Sequence, residues 1–315
     1  MRNSLRSHRV VPVFVGGTGR SGTTIVVNLL NRHSKIHASL PREIKYLTSR
    51  SGLIDLVYGR PIGLEEGAAG VRNNLVARLL PIIGRSKLHY FQKNLHRAWW
   101  SEVGKKGKAR GLIQGIDEQA LISAEKNFLL NFRSQPEVAA RELFYALSSK
   151  QLKSPEIKYF ADSTPVNIMQ SNYLNRLFPN ALFINMVRDG RDVALSVSNE
   201  RWGPNDPYKA LEWWSNRLLK AKLALDQVPE NRVLTVRLEN LVSRNREQSL
   251  EEILKFLAIE PEGALSEFFN SELTKDKLHK GLWKQKVVNP SKFEKRYLEI
   301  LVRLKDKGIV VERNY

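Results

Sequence analysis

The stretch VPVFVGGTGRSGTTIVVNLLN, residues 11–31, decides how the rest of the chain is read. Val11, Val13, Phe14 and Val15 make a short apolar run of the length and residue type of a buried strand. Residues 16–22, GGTGRSG, form a glycine-rich turn. Thr23 and Thr24 then open a segment in which Val26, Val27, Leu29 and Leu30 recur at helical spacing. Strand, glycine loop and helix together bind phosphate: glycines let the backbone approach an anion, and the first N–H groups of the helix point at it. Gly17 and Gly22 stand five apart, as in a P-loop, and Thr24 occupies the P-loop Ser/Thr position, but Thr23 stands where the lysine belongs. That lysine serves the β- and γ-phosphates of a nucleoside triphosphate, so its absence argues against ATP or GTP hydrolysis. A cation, Arg20, sits inside the loop instead.

Downstream, strands alternate with helices. Residues 157–161, 181–187 and 232–236 read as strands. Helices are expected at 117–131, 136–149, from 192 through 197, and at 207–226, 247–258, 263–270 and 291–306. Residues 33–40 read as a loop, and Pro41 suits the first turn of a helix with Glu43 near its positive end. The alternation predicts an α/β fold, P-loop-like and three-layered, with a central parallel sheet flanked by helices. Ligands of such sheets bind beyond the carboxyl ends of the strands, where both the glycine loop and Arg188 fall. A single domain over 1–315 is expected, with a loose N-terminus at 1–10. Residues 51–115 carry no recognisable motif and read as an insertion.

The formal net charge of +19 creates a field that attracts anions: nucleic acid, anionic membranes or acidic substrates. No nucleic-acid-binding pattern accompanies it, so no specific nucleic-acid partner is expected. The dense run is KKGKAR, residues 105–110, read equally well as a solvated loop or as an acceptor-binding one. With no cysteine, a disulfide framework and a thiolate metal site are both excluded. No signal-peptide pattern and no apolar run of membrane-spanning length is present, so a cytoplasmic protein is expected, with peripheral membrane contact left open. Oligomeric state is left open too.

The G-x-x-R-S-G-T-T pattern after an N-terminal strand resembles the 5′-phosphosulfate loop of sulfotransferases, which use 3′-phosphoadenosine 5′-phosphosulfate (PAPS). It is most similar to the glycan, tyrosylprotein and bacterial members. The resemblance implies that Gly17, Thr18, Gly19, Arg20, Ser21, Gly22, Thr23 and Thr24 hold the phosphosulfate, with no metal required. A second match is VRDGRDVALS, residues 187–196. It resembles the family's 3′-phosphate site, which assigns that phosphate to Arg188 and, eight residues on, to Ser196. An arginine fork and a hydroxyl suit a dianion. A third is EIKYL, residues 43–47. It is similar to the E-x-x-[FY]-[FY] of glycan sulfotransferases and implies Glu43 as the general base. His33 and His37 compete for that role, as in the cytosolic sulfotransferases. Arg20 first, and Lys45 second, are candidates for stabilising charge on the transferring group. A fourth, HKGLWK at 279–284, resembles a late loop that covers the nucleotide. It implies Lys280 and Gly281 at the 3′-phosphate and Trp283 against the nucleotide loop. Thr164 and Pro165 match the family's T-P, with Ser163 where a lysine often stands, and RLENL at 237–241 matches a stretch read as structural.

Taken together, the resemblance implies transfer of a sulfuryl group from PAPS to an acceptor hydroxyl, releasing adenosine 3′,5′-bisphosphate (PAP). The expected acceptor is carbohydrate, a polysaccharide, oligosaccharide or glycolipid, its specificity built by 51–115. Alternatives are a P-loop nucleotide kinase or NTPase and a non-enzymatic polyanion-binding protein.

Overall fold

The computed structural model describes residues 9–59, 87–103, 107, 109–277 and 280–311. Residues 1–8 of the expected loose N-terminus, 60–86 of the expected insertion, Lys105, Lys106 and Lys108 of the basic run, and His279 lie outside them. Five strands make one parallel sheet: β1 (Val11–Gly17), β2 (Ile36–Ala38), β5 (Tyr159–Asp162), β6 (Leu182–Val187) and β7 (Val233–Arg237), in the order β2-β5-β1-β6-β7. A two-stranded antiparallel pair, β3 (Glu102–Val103) and β4 (Ala109–Arg110), stands apart.

Strand alternation divides the core. On β1, Phe14 faces a cluster containing Phe144, Phe160, Phe178 and Phe183 beneath the helices Glu118–Phe132 and Pro136–Ser149. Val13 and Val15 face the opposite layer with Val26, Val27, Leu29, Leu30, Ile184 and Met186. Successive side chains of a strand point to opposite faces, so a strand buried on both sides is apolar at every position. That is why 11–15 and, Asn185 apart, 181–187 read as strands. The aromatic cluster is tight: ring centroids of Phe14 lie 5.8 Å from Phe178 and 5.7 Å from Phe183. A third cluster joins the helices Gly190–Ser198, Pro207–Leu225 and Pro290–Asp306 around Trp214, Trp283 and Tyr297. The helix ends follow their local chemistry. Pro136, Pro207 and Pro290 open their helices, and Asp206 and Asn289 accept hydrogen bonds from Lys209 N and Lys292 N as caps. Among the described residues, no helix is long and apolar enough to cross a membrane.

Two local expectations are corrected. The segment 33–40 contains the edge strand β2, paired with β5 through His37 and Phe160. At three residues it is too short for its alternation to register. The helix expected from Pro41 begins only at Lys45, as α2 (Lys45–Thr48). Between them the chain is pinned open by tertiary hydrogen bonds: Ser163 N donates to Arg42 O (2.9 Å) and Ile44 N donates to Asp162 Oδ1 (3.1 Å). Such bonds offer the backbone an alternative to a helical turn, and Glu43 consequently lies in a bend.

Candidate active site

The glycine loop joins β1 to α1 (Thr23–Leu30). Gly19, Arg20 and Gly22 have φ of 86°, 56° and 93°. Left-handed residues in succession turn backbone N–H groups inward, which is the concavity that receives anions. A Cβ on Gly17 would lie 2.4 Å from Met186 O, and one on Gly22 would lie 2.7 Å from a methyl of Leu238, so the loop is close-packed as well as strained. Gly22 caps α1 with no side-chain hydrogen bond, and no acidic residue occupies the first turn. The positive end of α1 is therefore left for an external anion. Ser21 Oγ is buried within this loop with no hydrogen-bond partner, packed against Gly17.

The second motif meets the first through the sheet. Gly17 and Met186 are register partners on β1 and β6, so the loop and Arg188 emerge side by side. Arg188 Nη1 donates to Arg20 O at 3.1 Å, and Arg20 Nε donates to Ser196 Oγ at 2.8 Å. Arg20 Nη1 also approaches Glu200 at 4.0 Å. Arg20, Arg188 and Ser196, named from separate stretches, thus form one cluster. The rest of RDGRD is architectural. Asp189 Oδ1 caps the helix Gly190–Ser198 by accepting from Arg191 N, and its N–H donates to Glu239 Oε1. The Arg191 guanidinium is buried, paired with Asp189 at 2.8 Å and Glu294 at 2.9 Å, and stacked 4.6 Å from the ring centres of both Trp283 and Tyr297. Glu239, expected to be structural, is buried beside it, and burial raises its carboxyl above the usual range.

The late loop is tied to the same helix, since Gly281 N donates to Asp192 Oδ1 at 2.9 Å. This brings the backbone beside Lys280 toward the Arg188–Ser196 side. Trp283, expected against the nucleotide loop, is buried between the Arg191 guanidinium and the Phe293 ring. A different indole pair meets the glycine loop. A Cβ on Gly19 would lie 3.6 Å from Trp213 and 3.7 Å from Trp202, whose rings are 5.9 Å apart and of which Trp202 is 46% exposed. Neither tryptophan was singled out from the sequence. Their only sequence signal is aromatic residues downstream of Ser196.

On the other side of α1 lies a cavity of about 330 Å³ lined by Thr24, Glu43, Lys45, Trp99, Arg110 and Gln114, among others. Thr24 and Glu43 are exposed. The bend that carries Glu43 is held from several directions. The Gln151 amide accepts from Leu40 N (2.7 Å) and donates to Leu40 O (2.9 Å), while Arg42 Nη1 donates to Ala38 O and Ser39 O. Asp162, at the carboxyl end of β5, is fully buried, and burial pushes its carboxyl up to about 7 against the hydrogen bonds it accepts from Ile44, Thr164 and Asn167. Burial next to Asp162 likewise holds the Tyr46 phenol well above its ordinary range.

The competing histidines lie elsewhere. His33 Nε2 is 2.9 Å from Glu260 O, and its Nδ1 accepts from Lys35 N at 3.0 Å. His37 stacks on Phe160, and burial together with Lys153 and Arg42 lowers its pKa to about 4. Neither lines the cavity that contains Glu43.

Comparison with known proteins adds an independent line. A family model described as "Sulfotransferase family" matches residues 87–262, more than half of the chain. Protein-tyrosine sulfotransferase 2 of Gallus gallus is 25% identical over 252 residues, 78% of this chain and 51% of that protein. Protein-tyrosine sulfotransferase 1 of Homo sapiens is 24% identical over 195 residues, 62% of this chain and 36% of that protein. The chain thus spans about half or less of the length of these curated relatives. Among solved structures, the sulfotransferase domain of the Synechococcus PCC 7002 olefin synthase aligns over 98% of this chain and 99% of that one, with a TM-score of 0.49 and 16% identity. With the parallel sheet and glycine loop described above, the family match settles one thing: the chain belongs to the sulfotransferase family.

Proposed function

We propose that this chain transfers a sulfuryl group from PAPS to an acceptor hydroxyl, with PAP as the other product. The observation that carries the proposal is the arrangement about α1: the Arg20–Arg188–Ser196 cluster on one side of the glycine loop, the Thr24–Glu43–Lys45 cavity on the other. The residues present fit the donor. The uncapped start of α1, the left-handed loop and the Ser21 hydroxyl suit a phosphosulfate. Arg188 and Ser196, with Lys280 and Gly281 on the adjoining loop, suit the 3′-phosphate.

When bound, the donor supplies an activated sulfuryl group. Glu43 takes the proton of the acceptor hydroxyl as its oxygen bonds to sulfur. The bond from sulfur to the phosphate oxygen breaks, and negative charge grows on that oxygen. The N–H groups of the loop and Arg20 would counter this charge, while Lys45, in the cavity with Glu43, would serve the sulfuryl oxygens.

For the acceptor, we propose a hydroxyl compound bearing negative charge. Lys45 and Arg110 line the cavity beside Glu43, and the whole chain carries a net charge of +19. A carbohydrate fits this, as the EIKYL pattern implies. A protein tyrosine is the second reading, favoured by the names of the curated relatives and by the Trp99 wall of the cavity. A thermal-shift titration with PAP, ADP and Mg²⁺·ATP comes first. A ligand at about 100 times its Kd stabilises by roughly 2.7 kcal/mol, so PAP alone should raise the melting temperature. A shift with Mg²⁺·ATP and none with PAP would restore the kinase alternative. Binding that collapses with salt and ignores the 3′-phosphate would favour the polyanion-binding one. Transfer of ³⁵S from labelled PAPS to desulfated heparin and to a random Glu–Tyr copolymer then separates the two acceptor classes.

A further inference from the structure

Asp162 is a buried carboxylate to which the mechanism above gives no role. It ends β5, immediately beside β1 in the sheet, with Phe14 as its register partner. Its Oδ1 accepts from Ile44 N at 3.1 Å, from Thr164 N at 3.2 Å and from Thr164 Oγ1 at 2.8 Å. Its Oδ2 accepts from Asn167 Nδ2 at 2.5 Å. The Asn167 carbonyl oxygen in turn accepts from Thr48 Oγ1 at 2.9 Å, and Gln170 Nε2 donates to Thr48 O at 3.0 Å. The segment 43–48 is therefore gripped at both ends, at Ile44 by Asp162 and at Thr48 by Asn167. Glu43 and Lys45 flank the gripped Ile44 amide, and both line the cavity that holds Thr24.

Burying a carboxylate is costly unless its lone pairs are filled. Here four donors from three residues converge on it, and Asp162, Thr48 and Asn167 are all buried. An amide in the same place could not do the same. It would turn an N–H₂ toward Asn167 Nδ2, setting donor against donor, and Asn167 could answer only by flipping, which reverses its bond with the Thr48 hydroxyl and frees the hydroxyl proton from the carbonyl that now orients it. In the arrangement observed both oxygens of residue 162 accept, as the ionised carboxyl does and an amide does not.

We propose that Asp162 is the positioning residue of the acceptor side: through Ile44 N directly, and through Asn167 and Thr48, it fixes Glu43 and Lys45 against the start of α1. The proposal rests on the transfer reaction proposed above. It separates two jobs within one site, since the nucleotide cluster of Arg20, Arg188 and Ser196 shares none of these bonds.

The test compares wild type, Asp162→Asn and the exchanged pair Asp162→Asn/Asn167→Asp. Transfer of ³⁵S to desulfated heparin or the Glu–Tyr copolymer gives kcat, and calorimetry gives the Kd of PAP. Asp162→Asn is expected to lower kcat at least tenfold with the PAP Kd within twofold of wild type. The exchanged pair, which again sets donor against acceptor, should recover most of the loss. Wild-type kcat in Asp162→Asn overturns the proposal, as does a parallel loss of kcat and PAP affinity, which would mark a general support of the sheet. If Asp162→Asn does not fold, Thr48→Val severs only the far grip. It should lower kcat at unchanged PAP affinity, and full activity in it overturns the proposal. A wild type that binds no PAP fails the proposed function itself. One that binds PAP yet sulfates neither polymer fails the acceptor reading, and this proposal falls with it.

Discussion

Arg20 Nε lies 2.8 Å from Ser196 Oγ, joining a loop residue to a helix residue 176 positions away. Arg188 closes the arrangement by donating to the carbonyl of Arg20. The guanidinium of Arg188 thus braces the strained loop whose own cation, Arg20, stands beside the Ser196 hydroxyl.

Arg188→Ala should discriminate between nucleotides. A hydrogen bond to a charged group contributes about 1.5–3 kcal/mol, so PAP affinity is expected to fall by roughly 10- to 100-fold. ADP, which lacks a 3′-phosphate, should lose distinctly less, only what the brace from Arg188 to Arg20 O contributes to the loop. Calorimetric titration of both ligands reads this directly, and an equal loss for ADP would remove Arg188 from the 3′-phosphate.

Gly22→Ala tests the loop. The residue has φ 93°, and a Cβ there would press on Leu238 at 2.7 Å. The left-handed backbone alone costs about 1–2 kcal/mol for a residue with a side chain. A fall of several degrees in melting temperature is expected, together with loss of the stabilisation by PAP. Scanning calorimetry with and without PAP measures both.

Glu43→Gln removes the proposed base with little change in shape. Because Glu43 is exposed in a bend held by its neighbours' backbone, the fold and PAP affinity should be unaffected. Turnover should fall by about 10²–10⁴-fold, the usual contribution of general base catalysis. Undiminished transfer would assign the proton to another group.

Stability against pH carries two opposed signatures. Burial raises the Asp162 carboxyl from 3.8 to about 7, so the folded state takes up this proton more readily than the unfolded one; the stability this adds is present below pH 3.8 and is lost as pH rises through 7, where the ionised carboxylate that accepts all four bonds takes over. The His37 imidazole is lowered from 6.5 to about 4. Its neutral form contributes stability present above pH 6.5 and lost as pH falls through 4. Between pH 4 and 6.5 the two slopes oppose. Melting temperatures across this window should therefore fall with rising pH in His37→Gln and rise with it in Asp162→Asn, the wild type lying flatter than either. Identical slopes in the two variants would refute the assignment.

The clustering of Arg20, Arg188 and Ser196 was legible in the sequence because its parts are local. A strand, a glycine turn and a helix lie within residues 11–31, and Arg188 and Ser196 share one strand-to-helix turn. The parallel sheet was legible because β1 and β6 are apolar on both faces. The shape of the cavity beside Glu43 and Lys45 was not, although both residues were named. The bend that carries them is fixed by Asp162, Ser163 and Gln151, more than a hundred positions away, and nothing in residues 33–47 announces those partners. Arg191 was equally opaque. A charge in RDGRD reads as a surface pair, yet its partners Glu294, Trp283 and Tyr297 lie near the far end of the chain and enclose it.

β1 is the middle strand of five, and the strands on either side of it end in different tasks. The tip of β6 leads to the arginine that braces the glycine loop, proposed above for the nucleotide, and the tip of β5 carries the carboxylate that holds the bend with Glu43, proposed above for the acceptor. The glycine loop is the partition between them. Under the proposed reaction, substitutions around β5, α2 and β4 would change the acceptor while the β6 half kept the same donor. One half of the site is free to diversify because the other is anchored to a different neighbour of the same strand.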